Sequence, residues 1–253
     1  SPLRNAPLRK VDIHRTLISD LSLLAEKDLT YLSIYGTPIT DISLLKGMPL
    51  KHLVISGWRY PRNVADISVL AGMPLTHLGV HVRPYFEPEL QLLKSLPLER
   101  HPLDFNISID QFWQEFNGER QAEASFIESL AKLHVNERAS AVEEKLGKPE
   151  GFNYVVNKGV VTEVSYSPYF NESLALWPLR AFLNLNKLTL SNSEKFNRID
   201  LSPLIDLPIE ELHCGGSVEY NVPVIRKMSS LKSINGQLIS SPQNFEFHEA
   251  TAK

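Results

Sequence analysis

Apolar residues recur along the chain in one phrase, L-x-x-L-x-L. Its inward positions are Leu8/Val11/Ile13, Leu29/Leu32/Ile34, Leu50/Leu53/Ile55 and Leu75/Leu78/Val80 early in the sequence. Late in the sequence they are Val161/Val164/Tyr166, Leu185/Leu188/Leu190, Ile209/Leu212/Cys214 and Leu231/Ile234. Alternation of apolar and polar positions inside each phrase predicts a short strand with one buried face. Several units carry a second phrase downstream: Asp20-Leu21-Ser22, Asp41-Ile42-Ser43, Asp66-Ile67-Ser68 and Asp200-Leu201-Ser202, each followed by aliphatics. An aspartate there accepts hydrogen bonds from the free amides that open a short helix or 3₁₀ turn, and its charge suits that positive end. The units then close on proline, in Gly47-Met48-Pro49-Leu50, Gly72-Met73-Pro74-Leu75, Leu96-Pro97-Leu98 and Leu207-Pro208-Ile209. Proline cannot continue a helix and biases its predecessor towards extended backbone. The period, about 20 to 25 residues, predicts stacked units that each run strand, turn, capped short helix, proline stop.

These units resemble leucine-rich repeats. The form Gly36-Thr37-Pro38-Ile39-Thr40-Asp41-Ile42-Ser43 running on to Met48-Pro49-Leu50 is similar to the variant found in large bacterial proteins that often carry a serine/threonine kinase domain elsewhere. The ending Leu231-Lys232-Ser233-Ile234-Asn235-Gly236 and the stretch Phe112-Trp113-Gln114-Glu115-Phe116 also resemble terminal and inter-array segments of that group. The resemblance implies an α/β solenoid with parallel strands on the concave face and short helices or 3₁₀ turns on the convex side. It implies a sensor or docking region of a larger bacterial protein.

Residues 107–150 abandon the phrase. Asp110 is placed to cap a helix carrying Phe112, Trp113 and Phe116, with Asn117-Gly118 as its stop. A second helix follows from Phe126, Ile127, Leu130 and Leu133, within Glu119 to His134, and a third starts at Asn136 with Ala139, Val142 and Leu146 on one face, ended by Gly147 and Pro149. These faces read as core, and the segment as a cover for the apolar cross-section that stacked repeats expose at their ends. Phe152, Tyr154 and Val156 alternate before the turn Asn157-Lys158-Gly159, which predicts a hairpin over 152–166 whose second strand opens the later units. Pro102, lacking an amide donor, is placed to blunt the edge of the first sheet. The organisation expected is therefore two short arrays, 1–106 and 151–253, joined by a helical segment, 107–150. A single solenoid with a helical insertion fits the same pattern.

Composition changes this picture little. The chain has 253 residues, a near-even formal charge of −3 and 17 prolines against 12 glycines. That balance points away from nucleic acid, and no apolar run is long enough to insert into a bilayer. A chain that opens on Ser1-Pro2, without methionine or a signal-like apolar stretch, reads as a processed product or a piece of a longer protein. The lone Cys214 sits at an inward position and reads as packing, not as a nucleophile.

Candidate chemistry concentrates on the strand face. The third positions are Lys10, Tyr31, His52, His77 and Arg100; the fifth are Asp12, Ser33, Val54 and Gly79; the seventh are His14, Tyr35, Ser56 and His81. Four of the chain's eight histidines fall there. Tyrosine and histidine offer contact area and hydrogen bonds at low entropic cost, which suits a protein, peptide or glycan partner. The same residues also suit an exposed strand face with no partner. A longer unit adds Trp58, Arg59 and Tyr60, and the next places Arg83 and Tyr85 in the corresponding region. Together they predict an aromatic and basic rim, or aromatics folded inward to pack long loops. A metal site on His52 and His77, with His81 or Tyr35, is a competing reading that would make the chain a metal-dependent enzyme, although no cysteine or carboxylate completes a familiar ligand set. No H-E-x-x-H, C-x-x-C, G-x-S-x-G, P-loop, dinucleotide turn or kinase signature occurs. The sequence thus predicts a non-catalytic interaction module without cofactor; a purely structural spacer is the remaining alternative.

Overall fold

The strands form where the repeated phrase places them. A computed structural model describes residues 7–25, 27–56, 64–167, 175–191, 199–214 and 218–246, and the architecture is mixed α/β. The chain divides into two units, 1–117 and 118–253.

In the first unit β1 (Lys10–Asp12), β2 (Tyr31–Ser33), β3 (His52–Val54) and β4 (His77–Gly79) form a parallel sheet in sequence order. The register sets Lys10 beside Tyr31, Tyr31 beside His52, and His52 beside His77. Each phrase therefore lies directly on the one before it. The inward triplets Leu29/Leu32/Ile34, Leu50/Leu53/Ile55 and Leu75/Leu78/Val80 are all buried and share one core.

Opposite the strands, 3₁₀ turns span Ser22–Leu24, Ser43–Leu45 and Ser68–Leu70. The expected aspartate caps are present at all three. The amides of Ser22, Ser43 and Ser68 each donate to the aspartate two residues earlier at 2.8 Å. In the first two, the serine hydroxyl bonds the second carboxylate oxygen. The Ser22 hydroxyl and then its amide hold the Asp20 carboxyl below its ordinary range. After two of these turns the backbone swings through φ of +75° at Gly47 and +73° at Gly72. A Cβ at either position would meet nothing within 4 Å, so the glycines answer to backbone conformation, not to space. At Pro97 and Pro208 the chain closes an inverse γ-turn: the amides of Leu98 and Ile209 each donate two residues back at 2.8 Å.

The far edge of the first sheet differs from the expectation. Pro102 turns its carbonyl inward to accept from the Val80 amide at 2.9 Å. The outer side is instead paired by residues 107–109: His101 N–H donates to Ile107 and Ile109 N–H to Glu99, around an antiparallel bridge between Arg100 and Ser108. Covering an edge removes its free donors and acceptors more completely than one proline can. α1 (Glu87–Ser95) adds Leu92 and Leu93 to the core.

α2 (Ile109–Leu130) is one helix where two were expected. It runs through Asn117-Gly118 without a stop, because a helical glycine costs only about 1 kcal/mol relative to alanine. Burying Phe112 and Leu130 on the same helix contributes roughly 2 kcal/mol each. Ser108, not Asp110, caps it: its Oγ accepts from the Gln111 amide at 3.2 Å, and Asp110 sits in the first turn. Ile109 and Trp113 pack against the first core.

In the second unit, α3 (Val135–Lys145) begins one residue before the expected start, capped by His134, and buries Ala139 and Val142. β5 (Glu150–Asn157) and β6 (Val160–Ser167) form the expected antiparallel hairpin. β7 (Lys187–Leu190) and β8 (Glu211–His213) continue from β6 in parallel, with β9 (Ser233–Ile234) after the short α4 (Val222–Ile225) and β10 (Gln237–Leu238) turning back as the antiparallel edge. Asp200 caps the 3₁₀ turn Ser202–Leu204 by the same bonds, at 2.9 and 2.8 Å. Buried Asn221 ties neighbouring segments together, accepting from Leu201 N–H at 3.0 Å and donating to Ile199 C=O at 2.6 Å. Cys214 is buried as expected, and burial pushes its thiol up to about 12.

Two stability outcomes follow from these placements. Gly118→Ala faces open space within a helix and is expected to raise the unfolding free energy by about 0.5–1 kcal/mol in urea denaturation; a loss of stability would show that the glycine is required. Tyr166 is buried beside Phe152, and its hydroxyl has no hydrogen-bond partner among the described residues. Burial alone drives that phenol upward in pKa. Tyr166→Phe removes the unsatisfied hydroxyl and is expected to raise Tm, by the equivalent of about 1 kcal/mol.

Candidate functional site

On the outer face of the first sheet, side chains at matching positions of successive strands stand side by side. The strand spacing of about 4.8 Å is close to the distance at which flat rings stack, so a column of aromatic residues becomes a column of touching rings. The third-position column does this. Tyr31 and His52 have ring centroids 6.2 Å apart, and His52 and His77 lie 4.1 Å apart with only 9° between their planes. Phe105 sets its ring edge-on to His77 at 5.8 Å. The seventh-position column begins the same way, with His14 stacked on Tyr35 at 4.8 Å and 10°. Further along it, the Ser56 hydroxyl is buried and accepts from the His81 amide at 2.6 Å.

Hydrogen bonds and burial hold these rings in place. His77 Nδ1 lies 2.9 Å from Thr76 Oγ1. Asp12 Oδ1 accepts from the His14 amide at 3.1 Å and lies 2.6 Å from His14 Nδ1. Burial pushes the Asp12 carboxyl up, but the bonds from His14 and Ser33 outweigh it and hold it below its usual range. Burial and then the adjacent His77 hold His52 below the usual imidazole range, with Lys10 and Lys51 adding to the effect and Glu99 opposing it. A lowered imidazole in the folded state binds protons less readily than in the unfolded chain. Acidification through the ordinary histidine range therefore works against folding here.

Stacking does not suit chelation. Imidazole lone pairs lie in the ring planes, so two near-parallel rings direct them side by side, not to one point. Among the described residues no three His, Cys, Asp or Glu side chains gather in a metal-holding group.

The rim residues fare differently from the ladder. Trp58, Arg59 and Tyr60 lie outside the described residues. Tyr85 is half-buried in the turn before α1. Arg83 is not a surface residue: its side chain is fully buried, 3.0 Å from Glu89, bonded to the Ala65 carbonyl, with its guanidinium 5.2 Å from the centre of the Phe86 ring. Glu89 sits in the first turn of α1 and also accepts from the Arg83 amide at 3.3 Å. An arginine in a loop between repeats looks like any exposed cation in sequence. Only the carboxylate six residues later, brought back by the helix start, explains its burial. Phe105 carried no sequence signal either, because it belongs to no periodic phrase.

The matching column of the second unit has charges where the first has rings. Glu163, Lys187 and Glu211 are in register, and Lys187 Nζ lies 3.0 Å from Glu211. That bond, with Glu163 nearby, raises the Lys187 pKa. A pocket of about 380 Å³ lies against this column, with Glu163 and Lys187 in its lining beside Tyr154, Ser165, Thr189 and Ser191.

No family model and no curated protein matches the chain. A solved structure of an internalin (inlF) from Listeria monocytogenes strain 4b F2365 is similar over 91% of this chain, at 14% identity and a TM-score of 0.27. The chain spans 55% of that protein's length.

The Arg83–Glu89 pair makes a sharp energetic expectation. Glu89→Ala leaves a buried guanidinium without its carboxylate and is expected to cost about 3–5 kcal/mol in urea denaturation. Replacing both partners, as Arg83→Met with Glu89→Leu, is expected to recover most of that loss. A cost below about 1 kcal/mol for the single variant would show that the pair is solvated.

Proposed function

We propose that this chain is a non-catalytic leucine-rich-repeat interaction module that captures a protein, peptide or glycan partner on the outer face of its first sheet. The contact residues are Tyr31, Tyr35, His52, His77, His81 and Tyr85, joined by Trp58, Arg59 and Tyr60, which the sequence offers for the same partner. The observation that carries this reading is the in-register ladder of rings Tyr31, His52 and His77, with Phe105 packed against its last ring. It presents a continuous, pre-ordered aromatic and hydrogen-bonding strip, and pre-ordering lowers the entropy that binding must overcome. The second sheet's paired charges lack such a strip.

The repeat reading is supported by the strand register and by four aspartate-capped 3₁₀ turns at equivalent places. The arrays are 1–106 and 151–253, with 107–150 as a helical connection that covers the core ends, and the whole is a sensor or docking region of a larger bacterial protein. An enzyme built on the ring ladder is the weaker reading, since the stacked imidazoles do not converge on a metal. A spacer predicts no binder at all.

Screening against a peptide-display library and a glycan array tests the assignment. Ligands recovered on the native chain are expected to lose about tenfold or more in affinity on the triple variant Tyr31→Ala/His52→Ala/His77→Ala, with Tm changed by only a few degrees. Undiminished binding would move the contact surface elsewhere.

A further inference from the structure

The column that carries the rings also carries fixed charges, and they stand at its two ends. Lys10 opens it, followed strand by strand by Tyr31, His52 and His77. The Glu99 amide donates to Thr76 C=O at 2.9 Å, repeating the bonds from Thr76 to Lys51 and from Lys51 to Thr30, which puts Arg100 next in line. Both Lys10 and Arg100 are exposed. Four steps of about 4.8 Å set the two cations roughly 19 Å apart. Beside the column, the second positions are Arg9, Thr30, Lys51, Thr76 and Glu99, so two cations face one carboxylate. Asp12, one column over, is already engaged by His14, and Asp104 accepts from Asn106.

We propose that this column binds an extended peptide segment with acidic side chains at two points about six residues apart and aromatic or apolar side chains between them. An extended chain advances about 3.3 Å per residue, so the roughly 19 Å between the cations matches that interval. Arg100 offers a forked donor set to one carboxylate, and Lys10 a point charge to the other. The rings between offer flat apolar area without fixed charge. A uniformly charged polyanion fits this pattern poorly. It would set its central anions over Tyr31 and over His52, which is held below the usual imidazole range and resists the protonation that would repay them. The proposal rests on the reading of this face as the contact surface, and names its partner.

Panning a random dodecapeptide library on the native chain and on Lys10→Glu/Arg100→Glu tests it. The native chain is expected to enrich peptides with two Asp or Glu residues about five to seven positions apart. Charge reversal is expected to weaken those peptides about tenfold or more at low salt and to enrich Lys or Arg at the same spacing, with Tm unchanged. Enriched peptides without acidic pairs, or no enrichment, would overturn the proposal. Binding lost in the triple ring variant but untouched by charge reversal would overturn the acidic ends and leave the contact surface standing; binding untouched by both would remove the surface as well. Heparin that displaces the peptides and itself depends on Lys10 and Arg100 would replace the peptide with a polyanionic glycan.

Discussion

No repeat unit in this chain can bury its own aliphatic residues; each does so by lying on its neighbour. A three-residue strand such as β2 offers one inward leucine, Leu32, and its flanks add Leu29 and Ile34. Burial of each is worth roughly 2 kcal/mol, but only when the next unit supplies Leu50, Leu53 and Ile55 at the same height. Stability is therefore a property of contacts between units. The parallel register, the repeated turns and the single shared core all follow from that dependence.

The same constraint organises the polar parts. A unit must return its chain to the same height within about 20 to 25 residues, and the aspartate-capped 3₁₀ turns do this by satisfying the turn's first amides locally. Asp20, Asp41, Asp66 and Asp200 make the same bond although the residues around them differ. Polar groups that the connecting segments take out of water need buried partners. Arg83 with Glu89, and Asn221 with Leu201 and Ile199, meet that need.

A stacked register has a consequence for recognition. It fixes the outward residues as firmly as the inward ones, so a column of tyrosine and histidine becomes a ladder of rings held at strand spacing. The two units use this in different ways. The first lines up Tyr31, His52 and His77 with Phe105 against His77, whereas the second lines up Glu163, Lys187 and Glu211, in which Lys187 pairs with Glu211. Identical backbone logic thus yields one face of rings and one of paired charges.

Much of this was legible from the residues alone. Strand positions, the inward triplets, the aspartate caps, the hairpin after Asn157 and the burial of Cys214 are set by spacing and local chemistry, because each depends on residues a few positions apart. The columns on the strand face were legible too, since a fixed period makes equivalent positions neighbours. Tertiary structure decided what depends on competing energies or distant partners. It carried α2 through Gly118, where helix burial outweighs the cost of a glycine, and passed the edge of the first sheet from Pro102 to residues 107–109. It withdrew Arg83 from the rim into a pair with Glu89 and set Phe105 against His77. It also turned His52 and His77 into a parallel stack, which directs their lone pairs away from a common metal and leaves their faces to neighbouring rings.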